Sequence, residues 1–217
     1  MPRAVAVIPA RLASTRLPRK MLRQIAGRPL LAHVYDAVRA APRLDQVIVA
    51  TDSEEILALC RQHGWNGRLT SAAHRSGTDR VHEVATAIAA DVYINVQGDE
   101  PLVRPEHIAA LLDRMEEPGV EVATLMIEAT REECASPNVV KVAVDLSGRA
   151  LYFSRAPIPY DRDAAGAPCF KHLGLYAYRR PALERFCSLP ESPLERAERL
   201  EQLRFLENGI AIHVSTT

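Results

Sequence analysis

Three apolar runs recur in the first hundred residues with segments of helical periodicity between them: "VAVI" at 5–8, "QVIVAT" at 46–51 and "VYINVQ" at 92–97. None shows the one-in, one-out alternation of a strand with a wet face, so each reads as a strand buried on both sides. That pattern belongs to a parallel sheet covered by helices. The intervening segments supply those helices. One begins near Pro29 and carries Leu30, Leu31, Val34, Ala37 and Val38 on one face. A second is capped by Asp52 or Ser53, has Glu54 and Glu55 at the positive end of its dipole, and ends at Gly64. A short strand follows around Leu69. Thr78 opens a further helix through Val81, Val84, Ala85 and Ile88, and Pro105 starts the one after "VYINVQ".

Beyond residue 120 the pattern becomes β-rich. "VEVATLMIEA" reads as a strand, "NVVKVAV" and "RALYFSR" as a hairpin joined by "DLSG", and 169–178 as another strand. Leu194, Ala197, Leu200, Leu203 and Leu206 predict one helix over 194–208, stopped by Gly209, and "DRDAAGAP" at 161–168 reads as a mobile loop. There is no internal repeat, low-complexity tract or linker. The expectation is a single α/β domain of 217 residues, a Rossmann-like, mixed, mostly parallel sheet with a β-rich insertion.

Lys plus Arg and Asp plus Glu both number 27, so no general basic field points to nucleic acid or an anionic membrane. No apolar stretch approaches the length of a membrane span, and the first 25 residues lack a signal-peptide core, which predicts a cytoplasmic protein. Cys60, Cys134, Cys169 and Cys187 lack metal-binding spacing and read as reduced, packed thiols. The histidines likewise lack ligand spacing.

In open parallel sheets, ligands bind outside the carboxyl ends of the strands where strand order reverses. An order of 3-2-1-4 places that reversal between the first and fourth strands. The loop after the first, "PARLASTRLPRK", carries Arg11, Arg16, Arg19 and Lys20 with Ser14 and Thr15 between them; the loop after the fourth is "GDEP", with Asp99. A phosphate chain needs donors and positive charge, and a magnesium ion that neutralises it needs a hard carboxylate oxygen. The facing pair therefore points to a polyphosphate. Neither G-x-G-x-x-G nor G-x-x-x-x-G-K-[ST] is present, so side chains must replace a glycine nest.

"IPARLASTRLPRK", "HRSGTDR" (74–80), "INVQGDEP" (94–101), "ALYFSRAPIPYDR" (150–162), "KHLGLYAYRR" (171–180) and "SPLERAERLEQLR" (192–204) together resemble the 3-deoxy-D-manno-octulosonate (Kdo) cytidylyltransferases, in order over nearly the whole chain. The resemblance implies the nucleotide-diphospho-sugar transferase fold, with CTP bound by residues 1–119 and the sugar acid by 120–217. It also implies Mg²⁺-dependent transfer of CMP from CTP to Kdo for lipopolysaccharide biosynthesis, and a homodimer formed through the β-rich half. By similarity, Ala10, Arg11, Ser14, Arg16, Lys20, Arg75, Ser76 and Gln97 bind CTP, with Arg11, Lys20 and Asp99 catalytic and Asp99 the metal ligand. Gln97, Arg155, His172, Tyr176, Glu201 and Gln202 face the sugar acid, with Lys171 a further polar group there.

Two departures accompany the resemblance. The family has Gly before the loop lysine where Arg19 stands, at a position whose backbone can require glycine. The family pattern also runs on past "IAIHVSTT" into a G-[VI]-D-T segment whose Asp is a second Mg²⁺ ligand; within these residues the metal set is Asp99 alone, and full activity is expected to need that second carboxylate. The rival readings are a cytidylyltransferase for another acidic sugar, such as sialic acid or 8-amino-Kdo, and a catalytically inactive nucleotide-binding module.

Overall fold

A computed structural model describes residues 3–12, 17, 19–163 and 165–217. The element order is β1 (Ala4–Ala10), β2 (Gln24–Ile25), β3 (Arg28–Pro29), α1 (Leu30–Arg39), β4 (Gln46–Thr51), α2 (Glu54–His63), β5 (Asn66–Leu69), α3 (Gly77–Ala87), β6 (Val92–Asn95) and α4 (Pro105–Glu116). It continues through β7 (Val122–Glu128), α5 (Arg131–Ala135), β8 (Lys141–Val144), β9 (Ala150–Ser154), β10 (Phe170–Tyr178), α6 (Arg180–Ser188), α7 (Pro193–Glu198), α8 (Leu203–Glu207) and β11 (His213–Thr216).

The main sheet runs β11-β7-β10-β6-β1-β4-β5. Strands β5, β4, β1 and β6 are mutually parallel, which is the 3-2-1-4 order with its reversal between β1 and β6. All seven residues of β1 are buried, as its unbroken apolar run requires. Beyond β6 the sheet turns antiparallel: β10 pairs with both β6 and β7, β11 adds to β7 in parallel, and the β8–β9 hairpin extends from the outer end of β10. Even-numbered residues of β1 pack with α1, α2 and α4 on one face. Odd-numbered ones pack with α3, α6 and α8 on the other.

Local signals set the helix boundaries. Ser53 caps α2 by accepting from the Ile56 amide, and Gly64 closes it in the left-handed region at φ 67°. Ser76 and Asp79 form a reciprocal capping box on α3, and Pro105 occupies the first turn of α4.

Two expectations are corrected. The helix predicted over 194–208 is two short helices, broken where Arg199 adopts φ 57° and turns the chain. Cys134 and Cys169 are joined in a disulfide, because the return of β10 alongside β7 brings its first residues against α5; Cys60 and Cys187 are the free thiols. Within the 161–168 loop the Asp161 carboxylate accepts from the amides of Ala165, Gly166 and Ala167.

Candidate active site

Val96 and Gly98 extend the β6 ladder by donating their amides to the Val7 and Pro9 carbonyls at 3.0 and 3.3 Å. This holds the "GDEP" turn against the end of β1. Only glycine fits at 98, since a Cβ there would lie 2.9 Å from the Pro9 carbonyl oxygen and 3.0 Å from Met21 Sδ. The approach brings Asp99 to the cationic loop. Lys20 Nζ donates to Asp99 Oδ2 at 2.7 Å, both side chains remaining about a third open to solvent at 35% and 40%. Ala10 is buried at the end of β1 and Arg11 is exposed immediately after it, on the same rim. Ser14 and Arg16 lie outside the described residues.

Arg19, where the family pattern has glycine, holds φ 57° and ψ 31°, so the left-handed backbone is retained with an arginine in it. Its guanidinium pairs with Glu55 in the first turn of α2. Behind the turn, burial and the neighbouring Asp99 push the Glu100 carboxyl up. Among the described residues no group of three or more His, Cys, Asp or Glu side chains is gathered to hold a metal. A divalent ion here would be held by Asp99 with oxygens of an anionic substrate, a donor set that suits Mg²⁺.

On the α3 face of the sheet a wall of polar side chains continues from this rim. The Gly77 backbone packs on Gln97, whose Nε2 would be 2.9 Å from a Cβ at that position and donates to Asn95 Oδ1 at 3.3 Å. Asn95 stands opposite Tyr176 in the β6–β10 register, with Tyr178 two residues further along β10. Thr78 Oγ1 donates to Glu201 Oε1 at 2.7 Å. Further along β10, His172 Nε2 lies 2.9 Å from Thr124 Oγ1 and its ring packs edge-on to Phe153. The register of β10 against β7 slips between Leu173 and Tyr176. The extra residues bring the His172 and Tyr176 rings to 5.3 Å, and Thr124 donates to the Leu175 carbonyl at 2.8 Å.

Three buried polar atoms of this wall have no hydrogen-bond partner: Asn95 Nδ2, the Tyr176 hydroxyl and Glu201 Oε2. Leaving such groups unpaired costs about 1–3 kcal/mol each, so a wall with three of them is built to receive something polar. Burial shifts the titrating groups accordingly. The Glu201 carboxyl is pushed up, the Tyr176 and Tyr178 hydroxyls well up, and His172 down to about 3, which keeps its imidazole neutral. A cleft of about 280 Å³ opens beside the wall, lined by Arg75, Ser76, Asp79, Arg199, Leu200 and Glu201.

The sequence-predicted residues thus fall into two adjoining groups, Arg11, Lys20 and Asp99 at the strand-order reversal, and Ser76, Gln97, His172, Tyr176 and Glu201 along the wall. Arg75 is exposed at the mouth of the cleft and Gln202 is buried at the start of α8. Arg155 is anchored by donating Nε and one Nη to the carbonyls of Glu198 and Pro137 at 2.8 and 3.2 Å. Lys171 pairs with Glu133. Sequence reasoning missed Asn95, Thr124 and Tyr178, for which the signal was a polar side chain inside otherwise apolar runs, and read Thr78 only as a helix start.

The profile of the cytidylyltransferase family matches residues 5–212. A 3-deoxy-manno-octulosonate cytidylyltransferase of Koribacter versatilis is 64% identical over 99% of this chain and 82% of its own length. One from Acidobacterium capsulatum is 59% identical over 96% and 86%. A solved CMP:2-keto-3-deoxy-manno-octonic acid synthetase in complex with CTP superposes with a TM-score of 0.96 at 45% identity, covering 99% of this chain and 90% of that one. With the strand order, the facing loops and these matches in agreement, the chain belongs to the cytidylyltransferase family, among the 3-deoxy-manno-octulosonate cytidylyltransferases.

Proposed function

We propose that this chain transfers the cytidylyl group of CTP to Kdo. The sugar's anomeric 2-hydroxyl oxygen forms a bond to the α-phosphorus, the bond from that phosphorus to the β-bridging oxygen breaks, and pyrophosphate leaves. The observation that carries the reading is the Lys20–Asp99 pair at the strand-order reversal, set beside a wall with three unpaired polar atoms.

Displacement at phosphorus asks the protein mainly for position and charge. Arg11 and Lys20 hold the phosphates, with Ser14 and Arg16 completing that loop, and the Ala10 backbone ends β1 beside them. Ser76 and Arg75 at the start of α3, together with Gln97, take the cytidine. Gln97, His172, Tyr176, Glu201 and Gln202 take the hydroxyls of the sugar acid, and Arg155 on the adjoining segment offsets its carboxylate. A neutral His172 can accept or donate one hydrogen bond without carrying charge into a buried site. Asp99 would hold a Mg²⁺ ion together with the triphosphate, and that ion would supply neutralisation of the charge developing on the phosphoryl oxygens. Lys20 pairs with Asp99 in the structure, and with nucleotide bound its ammonium would turn to phosphate and leave the carboxylate to the metal.

The exposed Leu146 at the tip of the β8–β9 hairpin and the exposed Leu151 on β9 support a homodimer through this half. No helix among the described residues is long and apolar enough to cross a membrane.

The test is pyrophosphate release from CTP, Kdo and Mg²⁺, with sialic acid and 8-amino-Kdo as competing acceptors and the Asp99→Asn variant as control. Release with Kdo, lost in the variant while its melting temperature is kept, is the expected result. CTP binding without release would instead identify an inactive nucleotide-binding module. Undiminished turnover in Asp99→Asn would remove that carboxylate from the metal role.

A further inference from the structure

The four cysteines divide into two kinds. Cys60 is buried and Cys187 is half-buried beside Asp79; burial pushes their thiols up to about 11 and about 12, so both stay protonated and inert at neutral pH. Cys134 and Cys169 are partly open to solvent and bonded to each other across 35 residues of sequence.

What that bond fastens is an element without a hydrophobic anchor. Helix α5 spans five residues and buries none of them. Apart from its own capping box of Thr130 and Glu133, it is attached by the Glu133–Lys171 ion pair and by the disulfide. The turn leaving α5 is in turn the support of the sugar-acid half. Lys141 Nζ donates to the carbonyls of Ser136 and Val139, each at 2.7 Å, and to that of Arg155 at 2.6 Å. Arg155 itself donates to the Pro137 carbonyl, and the His172 amide to the Val140 carbonyl at 2.8 Å. Cys169 stands three residues before His172 on the same chain segment.

We propose that Cys134–Cys169 is a reversible redox site that sets the affinity of this protein for its sugar acid. Oxidised, the bond pins α5 and the 136–139 turn under Arg155 and His172. Reduced, α5 is left with capping, one ion pair and the hydrogen bond from the Ala129 amide to the Cys169 carbonyl before it, and the turn is held by Lys141 and Arg155 alone. Disulfides in cytoplasmic proteins are usually transient or sensing, which fits a pair at the surface better than a permanent staple. The reductant is a dithiol. One of its thiolates attacks a cysteine sulfur to give a mixed disulfide and releases the other cysteine as a thiolate, which takes up a proton. Its second thiol then displaces the remaining cysteine, so that two electrons and two protons pass to the pair and the dithiol leaves as its own disulfide.

The inference rests on the assignment of Arg155 and His172 to the sugar acid, and the experiment separates the two. The full chain is equilibrated with glutathione disulfide or with dithiothreitol. Thiols are counted after denaturation, amide hydrogen exchange is followed over 131–139, and KM is measured for Kdo and for CTP. The expected result is two thiols in the oxidised protein and four in the reduced, with faster exchange over 131–139 on reduction. The Kdo KM should rise about fivefold on reduction while the CTP KM holds. Cys134→Ser combined with Cys169→Ser should give the reduced-state KM under both conditions. Four thiols in glutathione disulfide, or a Kdo KM indifferent to the redox state, would overturn the proposal. Absence of pyrophosphate release in both states would count against the sugar-acid assignment instead, and the redox site would then stand or fall on the thiol count and exchange rates.

Discussion

Gly98→Ala tests whether the carboxylate turn is held by backbone contact. The added methyl would lie 2.9 Å from the Pro9 carbonyl oxygen and 3.0 Å from Met21 Sδ. Met21 can rotate away. The Pro9 carbonyl belongs to a strand fixed between β4 and β6 and cannot, so the turn must retreat by several tenths of an ångström. The 3.3 Å hydrogen bond from Gly98 to Pro9 goes with it. Overpacking and one lost hydrogen bond together cost about 2–3 kcal/mol. In a chain of this size that lowers the melting temperature by about 4–12 °C. Asp99 is the next residue and moves with the turn, and a displacement of this order reduces kcat by about tenfold, since a full ångström costs about a hundredfold. Calorimetry and steady-state pyrophosphate release measure the two effects. Adding Met21→Ala distinguishes the obstacles: if the carbonyl is the wall, the double variant shows no rescue of kcat. A Gly98→Ala protein within about 1 °C and about twofold of the parent in kcat would refute the reasoning.

Other consequences concern strain and titration. Arg19→Gly relieves the left-handed backbone but gives up an exposed ion pair, whereas Arg19→Ala gives up the pair and keeps the strain; urea unfolding should rank the glycine variant about 1 kcal/mol above the alanine one, and equal midpoints would show that φ 57° carries no penalty. Burial raises the Glu201 carboxyl, so its ionisation opposes folding as pH rises above the ordinary carboxylate value near 4.5. Glu201→Gln should therefore melt higher than the parent at pH 7.5, converge with it near about pH 4, and bind Kdo less well; a lower melting temperature at pH 7.5 would contradict this. His172 has the opposite dependence: the unfolded imidazole takes up a proton from about pH 6.5 downward and the folded one only near 3, so stability is lost between those values as pH falls. His172→Gln should flatten that part of the melting profile, and an unchanged slope would mean that the ring is more hydrated than its packing implies.

Much of residues 1–119 can be read from the sequence alone because strands buried on both faces must be apolar throughout. The order 3-2-1-4 then places Lys20 and Asp99 on one rim. Residues 120–217 are harder for identifiable reasons. The stripe Leu194, Ala197, Leu200, Leu203, Leu206 has a strict spacing of three. On an α-helix of 100° per residue it drifts by about 60° at each step, so it could not have stayed on one face, and the break at Arg199 resolves it. The turn there is made by an arginine in a conformation usually signalled by glycine, and so carried no mark. Cys134 and Cys169 become neighbours only through the antiparallel return of β10, a long-range pairing that spacing does not encode. Asn95 and Thr124 stand inside apolar runs, where a single polar side chain gives no spacing to read, yet they lie among the wall's contacts.

The slip in β10 has a consequence for how this protein can change. Between Leu173 and Tyr176 the strand takes up two more residues than its neighbour, an even number, so every side chain beyond the slip keeps its original side of the sheet. Deleting one residue there would invert the half paired with β6 relative to the half paired with β8, sending Tyr176 and Tyr178 into the oily layer beneath α4 and turning Leu175 and Ala177 towards the α3 face. The make-up of this wall is governed by arithmetic as well as by chemistry: point substitutions can tune it gradually, whereas a single-codon loss would exchange its faces at once.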